Sequence, residues 1–179
     1  MITHAELREK YHYSPFAGVF ERRVGSKRRG FKWVLAGHVL DSCGYQVITI
    51  KGRRYRAHRL AWFYVHGEWP SMPLDHADGD RLNNAIANLR LATPGQNSHN
   101  SQTPSHNKSG VKGVSYSAGL WTAQVAVNRR PVFMKRFKTR EEAEEAVRAA
   151  RLKAHGEFAN HGVHKFIIEE TCNSSIDPS

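Results

Sequence analysis

From Leu74 to Asn100 the chain reads LDHADGDRLNNAIANLRLATPGQNSHN, and no piece of it is long enough to bury a core of its own. Met72-Pro73-Leu74 is a short apolar lead-in that ends on the pair Asp75-His76. Residues 77–87 follow as a loop dense in Asp, Gly and Asn, which favour turns and left-handed backbone. Leu89-Arg90-Leu91 reads as a second short strand. Thr93 then caps a helix, with Pro94 at its first position and Gln96 completing a capping box. Asn97 stands one turn inside that helix. Two three-residue strands and a short helix must rest on other elements. The chain around them is therefore expected to be α+β, with helices and small sheets supplying the support.

The residue types in this stretch suit phosphodiester hydrolysis, which needs a base for water and a cation beside the phosphate. His76 is the natural base, because an ordinary imidazole titrates near pH 6.5. Asp75 and Asn97 supply oxygens, which suit a hard cation such as magnesium or manganese. Asn88 is placed to anchor the long loop and to orient His76 by hydrogen bonding.

Asp75-His76, Asn88-Leu89-Arg90 and Gln96-Asn97 resemble the HNH motif of phage and intron-encoded homing endonucleases, the His-Me finger or ββα-metal group. The resemblance implies His76 as general base and Asn88 as its brace. It also implies one divalent ion, magnesium or manganese, on Asp75 and Asn97. The third letter of the motif is Asn here. His99 is the alternative to Asn97, and two residues on a helix lie about 200° apart, so one ion is not expected to take both.

Charge points the same way. The net charge is +11 and the pI about 10, which calls for a polyanionic partner. Residues 1–70 hold 13 Lys and Arg against 5 acidic residues, and residues 109–160 hold 10 against 5, while 71–108 hold three of each. A neutral middle between basic flanks fits a cutting site carried by arms that grip double-stranded DNA. Arg22, Arg23, Lys27, Arg28 and Arg29, in a basic loop over residues 22–32, and Arg53 and Arg54 are the candidate contacts of the first arm. Two cysteines without a CxxC pair argue against a disulfide framework and a structural zinc. No apolar run reaches membrane-span length and Met1-Ile2-Thr3 does not open a secretory signal, so a cytoplasmic protein without membrane contact is expected. The resemblance implies a phage-infected or lysogenic bacterial host.

Upstream of the motif, Thr3 and Glu6 cap a first helix, and Tyr13, Phe16, Val19 and Phe20 are expected to anchor the first strands. Residues 45–50 and 53–57 form a hairpin about Lys51-Gly52. Residues 58–66 form a helix ended by Gly67, with Leu60, Phe63, Tyr64 and Val65 on its apolar side. Trp62 and Trp69 are read as core, and His58 and His66 as structural or surface residues.

The expected organisation is a nuclease domain over 1–102, comprising a β-rich region 1–70 and a core 71–102. A polar linker follows over 103–109, then a second domain over 110–160 and a tail over 161–179, where residues 166–168 suggest a short strand. The second domain shows three strands, at residues 111–116, 120–127 and 132–137, with turns at 117–119 and 128–131. A helix capped by Thr139 and Glu142 and stopped at Gly156 then carries a stripe of Ala143, Ala146, Val147, Ala150 and Ala154. Gly113-Val114, the run from Leu120 to Val125, Phe137-Lys138-Thr139 and Glu141-Glu142-Ala143 resemble the Apetala-type, ethylene-response-factor-like DNA-binding domain. That family lays its sheet into the DNA major groove. The equivalent outward positions are Lys112, Ser115, Gln124, Phe133 and Lys135, with Arg129 and Arg130 at the hairpin tip. Ser115 and Ala126 stand where the plant pattern has arginines, so base specificity does not carry over.

Together these features lead to a metal-dependent DNA endonuclease of the HNH homing type. With one motif, it is expected to nick one strand as a monomer. A silent DNA-binding regulator, and a nuclease acting on RNA or structured DNA, are the competing readings.

Overall fold

The computed structural model describes residues 1–101, 103 and 107–162, and the chain divides into two compact units, residues 1–92 and 93–179. The first unit opens with α1 (His4–Lys10), where Thr3 and Glu6 form the expected capping box. A three-stranded antiparallel sheet follows in sequence order: β1 (Tyr11–Ser14), β2 (Val19–Ser26) and β3 (Gly30–Ala36). The basic stretch read as a loop over 22–32 is thus mostly hairpin. Its pairing runs on to Ser26↔Gly30, because the strand ladder continues to satisfy backbone groups beyond the core. Gly25, at φ 123°, is required there, since a Cβ would lie 2.1 Å from the Gly30 carbonyl oxygen.

A second sheet holds β4 (Val39–Leu40), β5 (Gln46–Ile50) and β6 (Arg53–Arg56), the last two joined at Lys51-Gly52 as expected. Helix α2 (Ala57–His66) begins at once and ends on left-handed Gly67. Leu60, Ala61 and Phe63 of α2 pack with Leu7, Tyr13, Phe20, Ile48 and Ile50 in one core, and Trp62, Tyr64 and Trp69 pack against it. Three expected anchors are not in this core: Val19, at the start of β2, is exposed, and so are two others. Phe16 lies in the β1–β2 turn and is 96% exposed, and Val65 is on the outer side of α2. The hairpin β7 (Leu74–His76) with β8 (Leu89–Leu91) completes the unit.

The second unit begins with α3 (Pro94–His99), capped by Thr93 and Gln96. Strands β9 (Val114–Ser117), β10 (Leu120–Val127) and β11 (Arg130–Phe137) form an antiparallel sheet with β10 central. Helix α4 (Arg140–His155) packs on it through Ala143 and Val147 against Val111, Val114, Ala123 and Val125. Among the described residues, three three-stranded antiparallel sheets, the β7–β8 pair and four α-helices make a mixed α and β architecture.

The register of β11 corrects the expected outward face. The hairpin turn is only Asn128-Arg129, both at positive φ, and β11 starts at Arg130. Ala126 pairs with Pro131 but Val125 pairs with Phe133, so Val132 bulges out of the ladder. A one-residue slip exchanges the two faces of a strand. Gln124 therefore pairs with Met134, and Thr122 with Arg136. Phe133 pairs with buried Val125 and packs against the core below α4, and Lys135 shares that side as the partner of buried Ala123. The expected strand at 166–168 lies outside the described residues. No helix among the described residues is long and apolar enough to cross a membrane.

Candidate active site

In the β7–β8 hairpin, Leu74, His76 and Leu89 are buried, and so is Asp75. Asp75 is the cross-strand partner of Arg90, and Oδ2 of Asp75 accepts from Nε and Nη2 of Arg90 at 3.0 and 2.8 Å. Register partners on one face stand close enough for such a pair, and burial on both sides strengthens it.

The loop after His76 is organised by Asp78 and Asn88. The Asp78 carboxylate accepts from the Asp80 amide at 2.8 Å, from Asn88 Nδ2 at 2.9 Å and from Asn83 Nδ2 at 2.7 Å. The Asp78 amide in turn donates to Asn88 Oδ1 at 3.0 Å, and Asn88 Nδ2 also donates to the Asn83 carbonyl at 2.8 Å. Asn88 thus anchors the loop, as expected, but its side chain does not orient His76.

Asn84 does. Oδ1 of Asn84 is 3.1 Å from Nε2 of His76, and Asn84 is 1% exposed. Nδ2 of Asn84 donates to the Leu82 carbonyl and to Gln46 Oε1, which leaves Oδ1 as the acceptor facing His76. His76 Nε2 is therefore the protonated nitrogen of the neutral ring, and Nδ1 carries the basic lone pair. The Asn84 carbonyl accepts from the Tyr13 hydroxyl at 2.7 Å, and the Ile86 amide donates to the Pro15 carbonyl at 3.0 Å. The loop is thereby pinned to the β1–β2 turn, where Gly18 leaves no room for a Cβ against the backbone of Asn84 and Ala85. The motif drew attention to Asn88 alone. Asn84 was missed because only its neighbours Tyr13 and Gln46, distant in sequence, make it a brace.

Burial lowers the His76 pKa, against opposing contributions from its bond to Asn84 and from Asp78, Asp75 and Asp80, so the ring is neutral at physiological pH. His58, on the first turn of α2, packs beside it with ring centroids 5.1 Å apart, and Tyr45 lies against both rings. His66, by contrast, is an exposed residue whose ring is tilted against that of Trp62.

In the second unit, Asn97 is a half-buried residue of α3. The neighbouring His99 stacks on His155 of α4 with centroids 3.8 Å apart, and its carbonyl accepts from Lys112 Nζ at 2.9 Å. Lys112 also donates to the Ser101 carbonyl, so its ammonium is bound to backbone oxygens rather than held out from the sheet. Burial and then Arg151 lower its pKa to about 8.

Arg22, Arg23, Lys27, Arg28, Arg29, Arg53 and Arg54 are all exposed, as are Gln124, Arg129 and Arg130. Arg23 lies 4.6 Å over the ring of exposed Phe31, which adds an aromatic surface to the basic hairpin. Among the described residues no three His, Cys, Asp or Glu side chains cluster as a metal site.

Residues 55–99 match the HNH endonuclease family. Over 109 residues the sequence is 37% identical to Protein 3.8 of Escherichia phage T7, covering 58% of this chain and 88% of that protein. Over 131 residues it is 36% identical to an uncharacterized HNH endonuclease of Acanthamoeba polyphaga mimivirus, covering 72% of this chain and 65% of that one. No solved structure matches.

Proposed function

From the match of residues 55–99 to the HNH endonuclease family, we propose that the chain hydrolyses phosphodiester bonds in double-stranded DNA with His76 as general base. The observation that carries this reading is the bond between His76 Nε2 and Asn84 Oδ1, which leaves Nδ1 as the proton-accepting atom of a neutral, buried ring. Nδ1 takes a proton from the attacking water as its oxygen bonds to phosphorus. The opposite phosphorus–oxygen bond breaks, and solvent supplies the proton to the leaving oxygen.

HNH nucleases generally use a divalent metal ion. The buried Asp75 carboxylate and the Asn97 amide offer oxygen donors that fit a hard ion such as magnesium or manganese. Bound there, the ion would stabilise negative charge developing on the phosphate and the leaving oxygen. Asn97 is preferred over His99 because the His99 ring is stacked on His155. Arg90 holds Asp75 in its rotamer across the hairpin.

The basic β2–β3 hairpin and the β9–β11 sheet are proposed as the DNA-gripping surfaces, the latter in the manner of the Apetala-type domain it resembles. On the corrected register its outward residues are Ser115, Gln124, Met134 and Arg136, with Arg129 and Arg130 at the tip. A single motif is proposed to nick one strand as a monomer of the homing type.

The test is supercoiled plasmid carrying candidate phage or host sites, incubated with magnesium, manganese or chelator. Metal-dependent conversion to open circle that His76→Ala abolishes is the expected result. Undiminished nicking by His76→Ala sinks the reading, linear product replaces the monomeric nick with paired sites, and binding without cleavage indicates a silent DNA-binding protein.

A further inference from the structure

We propose that His58 is a positioning residue for this reaction, its buried ring setting the plane of the His76 imidazole. The proposal rests on the reading of His76 as the base. Asn84 holds His76 at Nε2. The last torsion of a histidine is broad, so the ring can tilt through tens of degrees and keep that bond. Ring contacts narrow that tilt. His58 meets His76 at an interplanar angle of 78° with centroids 5.1 Å apart, and Tyr45 stands 4.9 Å from His58 and 5.9 Å from His76. Tyr45 itself packs against two guanidinium groups, with Arg56 at 4.4 Å and Arg81 at 5.1 Å from its ring centre. Arg56 is tied to Asp41 at 2.8 Å. The wall against His76 is therefore rigid and built from planar rings.

His58 is an expensive residue for mere filling. It is 5% exposed, and its Nδ1 is buried with no hydrogen-bond partner among the described residues. A leucine in its place would avoid the cost of an unsatisfied polar atom. Burial, and after it His76, depress the His58 pKa to about 3, so the ring faces His76 uncharged. A position that sacrifices stability beside the reacting ring has the pattern of a residue kept for activity.

The experiment compares the full chain with His58→Leu in single-turnover nicking, metal-free DNA binding, thermal melting and nitrogen NMR of the histidine rings. The expected result is a kcat loss of about tenfold or more, as for other residues that orient a reacting group. KM and metal-free DNA affinity stay unchanged, the melting temperature is equal or higher, and His76 keeps its Nε2-protonated tautomer while its ring signals broaden. Wild-type kcat in His58→Leu overturns the proposal, as does a kcat loss matched by lower melting temperature and weaker DNA binding. Should His58→Leu not fold, His58→Phe is read instead. Because it keeps a planar ring, kcat within about threefold of wild type supports the proposal, and a larger loss at unchanged melting temperature overturns it. Failure of the nuclease reading looks different: wild-type protein does not nick, or His76→Ala still does.

Discussion

Asn84 Oδ1 stands 3.1 Å from His76 Nε2, and the two residues are among the most buried polar groups of the first unit. This relationship selects the His76 tautomer. Asn84→Ala is expected to lower kcat about 10- to 100-fold, the usual effect of losing a partner that orients a reacting group. Metal-free DNA affinity should stay at the wild-type value. Single-turnover nicking beside a binding titration checks this, and an unimpaired kcat would show that the tautomer is set elsewhere.

Gly18→Ala tests whether the loop is positioned from the β1–β2 turn. The added Cβ would lie 2.3 Å from the Ala85 nitrogen, at a backbone φ of +69°. A clash with backbone in left-handed conformation is expected to cost about 2 kcal/mol or more. Thermal melting should show the loss, and kcat should fall with it because the displaced backbone carries Asn84.

Arg90→Leu removes the guanidinium opposite the buried Asp75 carboxylate. Breaking a buried pair by deleting one partner typically costs about 3–5 kcal/mol. A bound cation replaces part of the lost charge compensation. Magnesium is therefore expected to raise the melting temperature of Arg90→Leu more than that of the wild type, by mass action on the folded state. Equal shifts in the two proteins would separate Asp75 from the ion.

Acid should unfold the protein through its buried histidines. The folded-state pKa of His58 is depressed to about 3 by burial and then by His76, with smaller contributions from Arg56 and Arg59 and an opposing one from Asp41. That of His155 is depressed to about 4, by burial and then by His99. An unfolded histidine titrates near 6.5, so below that pH the unfolded chain binds protons that the folded chain refuses. The stability contribution is complete above about pH 6.5 and is lost as pH falls towards 4 and then 3. Denaturant unfolding across that range should show the decline, and His58→Leu should make it shallower.

The bulge at Val132 makes a prediction for the second unit. Arg136 lies on the outward face with Gln124, whereas Lys135 lies on the α4 side. Arg136→Ala is expected to weaken DNA binding and to reduce the slope of log affinity against log salt by about 0.9, one phosphate contact. Lys135→Ala should leave that slope near its wild-type value, and the reverse ranking would restore the unbulged face.

What could be read from the sequence is what depends on neighbours three or four residues away. The boxes Thr3–Glu6, Thr93–Gln96 and Thr139–Glu142 start their helices where the pattern places them, because each is closed by atoms one turn apart. The turns at Lys51-Gly52 and the stop at Gly67 are legible for the same reason. Motif order and basic flanks point to nuclease chemistry, in keeping with the match of residues 55–99 to the HNH endonuclease family. The rest was decided by contacts across the fold. Asn84 became the partner of His76 because Tyr13 and Gln46 hold its backbone and amide, 71 and 38 residues away. His58 became a neighbour of His76 only when α2 packed into the core. The outward face of β11 turned on a single bulged residue, and a two-residue periodicity has no means of registering one extra residue. Local hydrogen bonds are written in local sequence, whereas the surroundings of a buried side chain are set by whichever distant segments share its core.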